Sequence, residues 1–242
     1  MRYIYKQEVK SKSKTAIIMC TYLRYKNLPK TYNDLNNQTN LDFDFYISDN
    51  SDNDPHILNT TNKLSDHIKY NIFIKQDKNK YSIFSRFMLA KDLAQEGYTK
   101  IIFVDDDQRI PIDFVQNCYD QYEDKVIKSF YAHDIIDDYW NKQPLKGNAS
   151  GNYAGGGGLM CNSDLFLHKD FFTCPEEYYI LDDLWISYFG KRIAGYDIKL
   201  LKTDLRFIHD DYATAKNLFN EKQKFTDEYI LGEGRLGQTY ND

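Results

Sequence analysis

KIIFVDDD, running from Lys100 to Asp107, joins a four-residue apolar run directly to three consecutive carboxylates. An apolar run of that length, following a helix stop at Gly97, predicts a buried parallel strand. Three adjacent carboxylates cannot continue into a core, because each ionised group needs a partner or a cation. The strand therefore ends at a polar surface. Upstream, YSIFSRFMLAKDLAQEG places Ile83, Phe87, Ala90 and Ala94 on one helical face, and IKYNIFIK (Ile68 to Lys75) reads as a strand. TAIIMC (Thr15 to Cys20) and FDFYISD (Phe43 to Asp49) are two further strands, each followed by a helical pattern. The first half thus reads β-α-β-α-β-α-β. That order predicts an α/β fold with a mostly parallel central sheet, flanking helices and ligands at the carboxyl ends of the strands.

The second half is less regular. It predicts a helix from about Pro111 to Glu123, a strand KVIKSFYA, and a polar segment from Asp134 to Ser150. The glycine-rich YAGGGGLMCN then enters a strand, followed by a helix from about Asp182 to Ala194, strands DIKLL and RFIH, and a helical tail from Ala213. No repeat or linker interrupts the chain, so residues 1–242 read as one domain, with 1–14 an N-terminal extension and 213–242 the tail.

Composition narrows the partners. A chain of 242 residues with 42% hydrophobic content can bury one sizeable core. A formal net charge of -5 argues against a nucleic-acid surface. An acidic protein that binds a phosphorylated ligand needs local positive charge or a cation. The four cysteines form no CxxC pair, and Cys20 and Cys161 lie in apolar runs, as reduced core thiols do. The charged start, MRYIYKQEVKSKSK, lacks the apolar stretch of a signal peptide, and no run approaches the roughly 20 apolar residues of a membrane span. A soluble, cytoplasmic protein with no integral membrane segment is expected.

Polar residues just beyond the strand ends are the site candidates: Thr21, Tyr22 and Arg24, then Asp49, Asn50 and Ser51, then Asp105, Asp106 and Asp107. Hard carboxylate oxygens suit Mg²⁺ or Mn²⁺, which bridge a few carboxylates to substrate phosphates. Asp182 and Asp183 open a helix, where acidic residues commonly serve as caps. The run from Gly155 to Gly158 lets backbone approach a neighbour closely. No Lys-Ser/Thr follows it, which excludes a P-loop.

TAIIMCTYLR, DFYISDNSD, SIFSRFMLA, IIFVDDD, AGGGGLMCNSDLF and LDDLWIS, in that order, resemble the family 2-type glycosyltransferases. The resemblance covers Thr15 to about Asp210 and implies a GT-A-like, Rossmann-like single domain that takes a nucleotide-diphosphate sugar, most simply a UDP sugar, with Mn²⁺ or Mg²⁺. It implies a nucleotide pocket lined by Thr21, Tyr22 and Arg24, with Asp49 at the base and Arg86 fixing the nucleotide or the acidic motif. Asp105 would face the ribose or a metal-bound water and Asp107 the metal, with Asp106 open between these roles and His209 a further metal ligand. Asp183, with Asp182 next, would take the acceptor's proton in an inverting transfer, although a retaining outcome stays open. Gly156 and Gly157 would wall the donor sugar and acceptor, and Trp185 is a candidate to stack on a sugar. The acceptor would be a hydroxyl of a glycan, a protein or a small molecule. Two rivals remain at this level. One is a haloacid-dehalogenase-like, Mg²⁺-dependent phosphohydrolase, whose acidic motif belongs nearer the start of its domain. The other is a non-catalytic module that binds a nucleotide sugar or glycan.

Overall fold

The computed structural model describes residues 5–7, 13–51, 55–64, 72–76, 81–208 and 218–232. Its centre is β2 (Thr15–Thr21), buried along its whole length. β2 runs parallel to β3 (Asp44–Asp49) on one side and β5 (Lys100–Asp105) on the other, so that Met19 pairs with both Ile47 and Val104. β4 (Ile72–Gln76) extends the sheet parallel to β3. The linking helices are α1 (Leu28–Asn36), α2 (Pro55–Leu64) and α3 (Ser85–Gln95).

Successive side chains of a strand face opposite ways, and the middle positions of β2 and β5 are apolar without alternation because both faces are covered. Ile17, Met19, Ile102 and Val104 pack with Leu28, Tyr32 and Leu35 of α1 and with Phe114 and Val115 of α4 (Phe114–Asp120). Their neighbours Ala16, Ile18, Ile101 and Phe103 pack with Phe87, Ala90 and Leu93 of α3 and with Leu184 and Trp185 of α5 (Asp182–Tyr188). Each large side chain fully buried this way contributes roughly 1.5–3 kcal/mol.

The complete sheet has eight strands among the described residues, in the order β1 (Tyr5–Gln7), β4, β3, β2, β5, β11 (Leu159–Asn162), β7 (Val126–Ser129) and β12 (Asp197–Leu200). Four of the seven neighbouring pairs are parallel. β11 enters antiparallel between β5 and β7, and β12 closes the far edge. The α/β architecture and the mostly parallel sheet are as the sequence predicts.

Several boundaries differ. Within the predicted N-terminal extension, Tyr5–Gln7 forms β1, an edge strand antiparallel to β4. The helix expected from Pro111 is confined to Phe114–Asp120. KVIKSFYA splits into β7 and β8 (Ala132–Ile135). The segment from Asp134 to Ser150 is not simply a polar connection. It carries β9 (Lys142–Pro144), which joins β8 and β10 (Tyr153–Ala154) in a separate three-stranded sheet. α5 ends at Tyr188 and passes into a π-turn over Phe189–Ile193. β6 (Gln108–Arg109) pairs with β13 (Arg206–Phe207), which ties the chain after the triplet to the RFIH segment. Residues 209–217 and 233–242 of the tail lie outside the described residues, and within the remainder α6 (Phe219–Phe225) continues as a π-turn over Thr226–Ile230. No helix among the described residues is long and apolar enough to cross a membrane, and all four cysteines are free and buried.

Candidate active site

The carboxyl ends of β2 and β5, the start of α5 and the tail enclose an open cleft of about 240 Å³. Asp105, Asp106, Asp107, Asp182 and Asp183 all line it, against the cations Arg24, Arg86 and Lys222.

The three carboxylates of the triplet have separate environments. Asp106 is buried and turned inward, accepting hydrogen bonds from Thr21 Oγ1 at 2.8 Å, Tyr22 N at 3.3 Å and Arg24 Nη1 at 2.8 Å. Asn27 Nδ2 donates to its carbonyl at 3.0 Å. Burial raises the Asp106 pKa, and Arg24 and the Thr21 hydroxyl oppose the rise. Asp106 thus fastens the turn after β2 to the end of β5, and the polar groups of Thr21, Tyr22 and Arg24 converge on it. The turn is tight enough to hold Leu23 at φ 62°, an uncommon conformation for a branched residue. Arg24 also reaches Asp107 Oδ2 at 3.4 Å.

Asp105 belongs to a different chain of contacts, centred on Arg86. This arginine is 1% exposed on α3, contrary to the solvent-facing cation that a helix pattern permits. Its Nε and Nη2 donate to Asp182 Oδ2, and its Nη1 donates to Asp105 Oδ1 at 3.0 Å. Burial disfavours the charge on Arg86, but Asp182 and Asp105 together hold its pKa above the usual value. Arg86 therefore locks the acidic triplet to the start of α5. Burial pushes the Asp182 carboxyl up to about 7 while Arg86 pulls it down and Asp183 and Asp105 add to the rise. The folded state then keeps a proton that the unfolded chain releases near 3.8. Stability is accordingly expected to fall as pH rises from about 4 to about 7. Urea midpoints across that range test this, and Asp182→Asn should flatten the slope.

The glycine run serves these same groups. A Cβ added at Gly157 would collide with the Asp105 carboxylate and with Gln108 Nε2, and one at Gly156 would collide with the Arg86 guanidinium. Backbone here must pass directly over the Asp105–Arg86 pair, and only glycine leaves the space. The buried Gln108 fixes Asp105 from below, with its Oε1 accepting from Asp105 N at 3.0 Å. Its own Nε2 has no partner among the described residues.

Asp182 and Asp183 separate in role. Asp182, 3% exposed, accepts from Arg86 and from Asp183 N at 2.9 Å. Asp183 is only partly buried, accepts from Leu184 N at 2.8 Å, and receives the Tyr153 hydroxyl on its other oxygen at 2.5 Å.

Asp49 and Trp185 are turned away from the cleft. Asp49 is fully buried at the end of β3 and accepts from Ser51 N at 2.9 Å and Ser51 Oγ at 2.6 Å, an Asx-turn that shapes the loop. Trp185 is 0% exposed and donates from Nε1 to Phe171 O at 2.8 Å, so it has no face to offer a sugar. It lies on the side of α5 turned into the core. His209 lies outside the described residues, although Ile208 N donates to Asp107 O at 2.5 Å just before it. Lys222 in the cleft, and Gln108 and Tyr153 that hold Asp105 and Asp183 behind it, carry no sequence signal; tyrosine is too abundant in this chain, at 21 residues, for any single one to stand out.

The carboxylates outnumber the cations, and Asp105 and Asp107 are partly exposed with side chains 28% and 24% accessible. This donor set fits a hard divalent cation that completes its shell with water or phosphate oxygens. No group of three or more His, Cys, Asp and Glu side chains is placed to hold a metal among the described residues.

Known proteins place the fold. S. aureus TarS 1-349, solved in complex with UDP, superposes with a TM-score of 0.54 at 15% identity over 78% of this chain and 58% of that one. GalNAc-T7, solved with UDP, GalNAc and Mn²⁺, gives a TM-score of 0.62 at 10% identity over 81% of this chain and 44% of that one. The chain therefore spans about half the length of these solved structures, and at such identities the likeness is one of fold. No curated protein sequence matches. The family described as glycosyl transferase family 2 matches residues 16–175, from the first buried strand past the glycine run. That match extends over most of the sheet and the acidic triplet, and the chain belongs to glycosyl transferase family 2.

Proposed function

We propose that the protein transfers a glycosyl group from a nucleoside diphosphate sugar, a UDP sugar first among them, to an acceptor hydroxyl with inversion. The observation that carries this reading is the division of labour at the start of α5. Asp182 is committed to Arg86, while Asp183 stands in the same cleft as the triplet with one oxygen held by Tyr153. In the proposed step the acceptor oxygen bonds to the anomeric carbon, the bond from that carbon to the diphosphate oxygen breaks, and the acceptor's proton passes to Asp183. The Tyr153 hydroxyl holds the carboxylate in one orientation, which reduces the reorganisation that proton transfer requires. Arg86 keeps Asp105 and the α5 start in fixed relation, and Asp106 does the same for the turn carrying Arg24. Mn²⁺ or Mg²⁺, held by Asp105 and Asp107 with His209 as a further ligand, would supply positive charge for the leaving diphosphate.

The UDP carried by TarS and GalNAc-T7 in their solved complexes supports UDP as the first nucleotide to try. The phosphohydrolase alternative loses its footing, since the triplet stands at the end of β5 within a family 2 glycosyltransferase sheet. Incubation with UDP sugars and mixed hydroxyl acceptors should yield UDP together with a product heavier by one glycosyl unit in mass spectra. Phosphate release from simple phosphomonoesters, with no glycosylated product, would overturn the proposal.

Gly157→Ala provides a separate test. The new methyl group should push Asp105 aside, costing about 1–3 kcal/mol of stability and about 10²-fold in transfer rate. Urea melts and steady-state rates measure the two. A variant with normal turnover would show that the position of Asp105 is unimportant.

A further inference from the structure

Two ammonium groups gather around the Tyr139 ring, and one of them, on Lys222, lines the cleft. Lys142 on β9 lies with Nζ 3.6 Å from the centre of the Tyr139 ring, 5.2 Å from that of Tyr153 and 5.7 Å from that of Trp140. Lys222 on α6 approaches the same Tyr139 ring, 5.1 Å from its centre, and lines the cleft. Neither ammonium group forms an ion pair or a hydrogen bond among the described residues. Aromatic faces attract a cation without neutralising it and leave its N–H donors available. Burial lowers the Lys142 ammonium to about 8, with Asp183 opposing and Lys222 reinforcing the shift, so the two lysines lie within one another's field.

The architecture that assembles this pair is specific. Trp140 stacks on Phe219 at 4.1 Å, and Tyr139 N donates to Gln223 Oε1 at 3.1 Å, which together dock α6 against the β8–β9 connection. Docking of α6 thereby adds a second positive charge beside the first, an arrangement that costs energy unless an anion lies between them. Tyr153 connects this corner to Asp183: its hydroxyl serves the carboxylate and its ring faces Lys142. The corner therefore adjoins the proposed base.

We propose that Lys142 and Lys222 form an anion subsite for the acceptor, which is accordingly a hydroxyl compound bearing a phosphate or carboxylate group. This inference rests on the reading of Asp183 as the base that receives the acceptor's proton. The subsite holds the anionic group against the two ammonium ions and so presents the neighbouring hydroxyl to Asp183.

The test is calorimetric titration of the full chain with UDP and Mn²⁺ present, using glucose 6-phosphate, glucuronate and glucose as probes. One or both anionic sugars should bind at least about tenfold more tightly than glucose, as charge-assisted hydrogen bonds allow. The advantage should shrink at high salt. It should vanish in the Lys142→Gln/Lys222→Gln variant and survive in Lys142→Arg/Lys222→Arg, with UDP affinity unchanged in both. Phosphate and carboxylate sources are separated by which of the two anionic sugars binds. Equal binding of glucose and both anionic sugars would overturn the subsite, as would a preference that persists in the Gln variant. A Gln variant that loses UDP affinity instead would assign the lysines to the donor and also overturn it. Failure of the unaltered protein to bind UDP would reject the transfer reading itself, and this subsite with it.

Discussion

Arg86→Met is expected to destabilise the protein by about 3–5 kcal/mol at pH 8, the cost of leaving a buried carboxylate without its cation. Arg86 is 1% exposed and Asp182 3%, so water cannot replace either partner. The loss should shrink as pH falls toward 5, because an unpaired Asp182, raised by burial and no longer lowered by Arg86, then takes a proton and ceases to be a buried charge. Arg86→Met/Asp182→Asn should recover part of the stability, since it removes both charges. Urea denaturation at the two pH values measures all of this. A loss below about 1 kcal/mol at pH 8 would resemble a surface pair and contradict the buried bridge.

Asp183→Asn is expected to lower kcat by about 10²–10⁴-fold, the usual contribution of a positioned general base, with the donor KM little changed. The amide keeps the size of the side chain and its hydrogen bond from Leu184 N, so the start of α5 should hold its place. Asp182→Asn should act differently, disturbing stability and its pH dependence through Arg86. Tyr153→Phe removes one hydrogen bond to Asp183 and should cost about tenfold in kcat, in line with the net worth of such a bond. Steady-state kinetics on the three variants separates base from scaffold. Turnover by Asp183→Asn equal to that of the unaltered protein would leave the proton without this acceptor and would favour the retaining alternative.

The parts of the fold legible in the sequence were those set by local pattern. Thr15–Thr21 and Lys100–Asp105 are apolar runs ending in polar residues, and they form the centre of the sheet with the triplet at its edge. Asp182 and Asp183 are visible as an acidic pair, but which of them is buried depends on Arg86, 96 positions earlier. A helix pattern cannot reveal that, because a lone arginine on α3 looks the same whether it meets water or a carboxylate. Trp185 illustrates the opposite error: an aromatic residue near a site suggests sugar stacking, yet the rotation of α5 turns it inward, where Phe171 supplies its acceptor. The β8–β9–β10 sheet was hidden for a third reason. Its strands are two to four residues long, too short for a period-two pattern to emerge, and it takes shape only through the packing of distant residues. Lys142, Tyr153 and Lys222 come together only there. The glycine run was visible as a close approach, but its partners, Asp105 and Arg86, were not.

The most direct measurement of the central claim is a thermal-shift series with UDP, UDP-glucose, UDP-N-acetylglucosamine and UDP-galactose, each with and without Mn²⁺. Ligand at about 100 times its Kd adds about 2.7 kcal/mol to the folded state, enough to move the midpoint by several degrees. Nucleotide-sugar transfer at this cleft predicts a selective upward shift that needs Mn²⁺ and is lost in Asp107→Ala. A flat response to every nucleotide, with and without the metal, would contradict it.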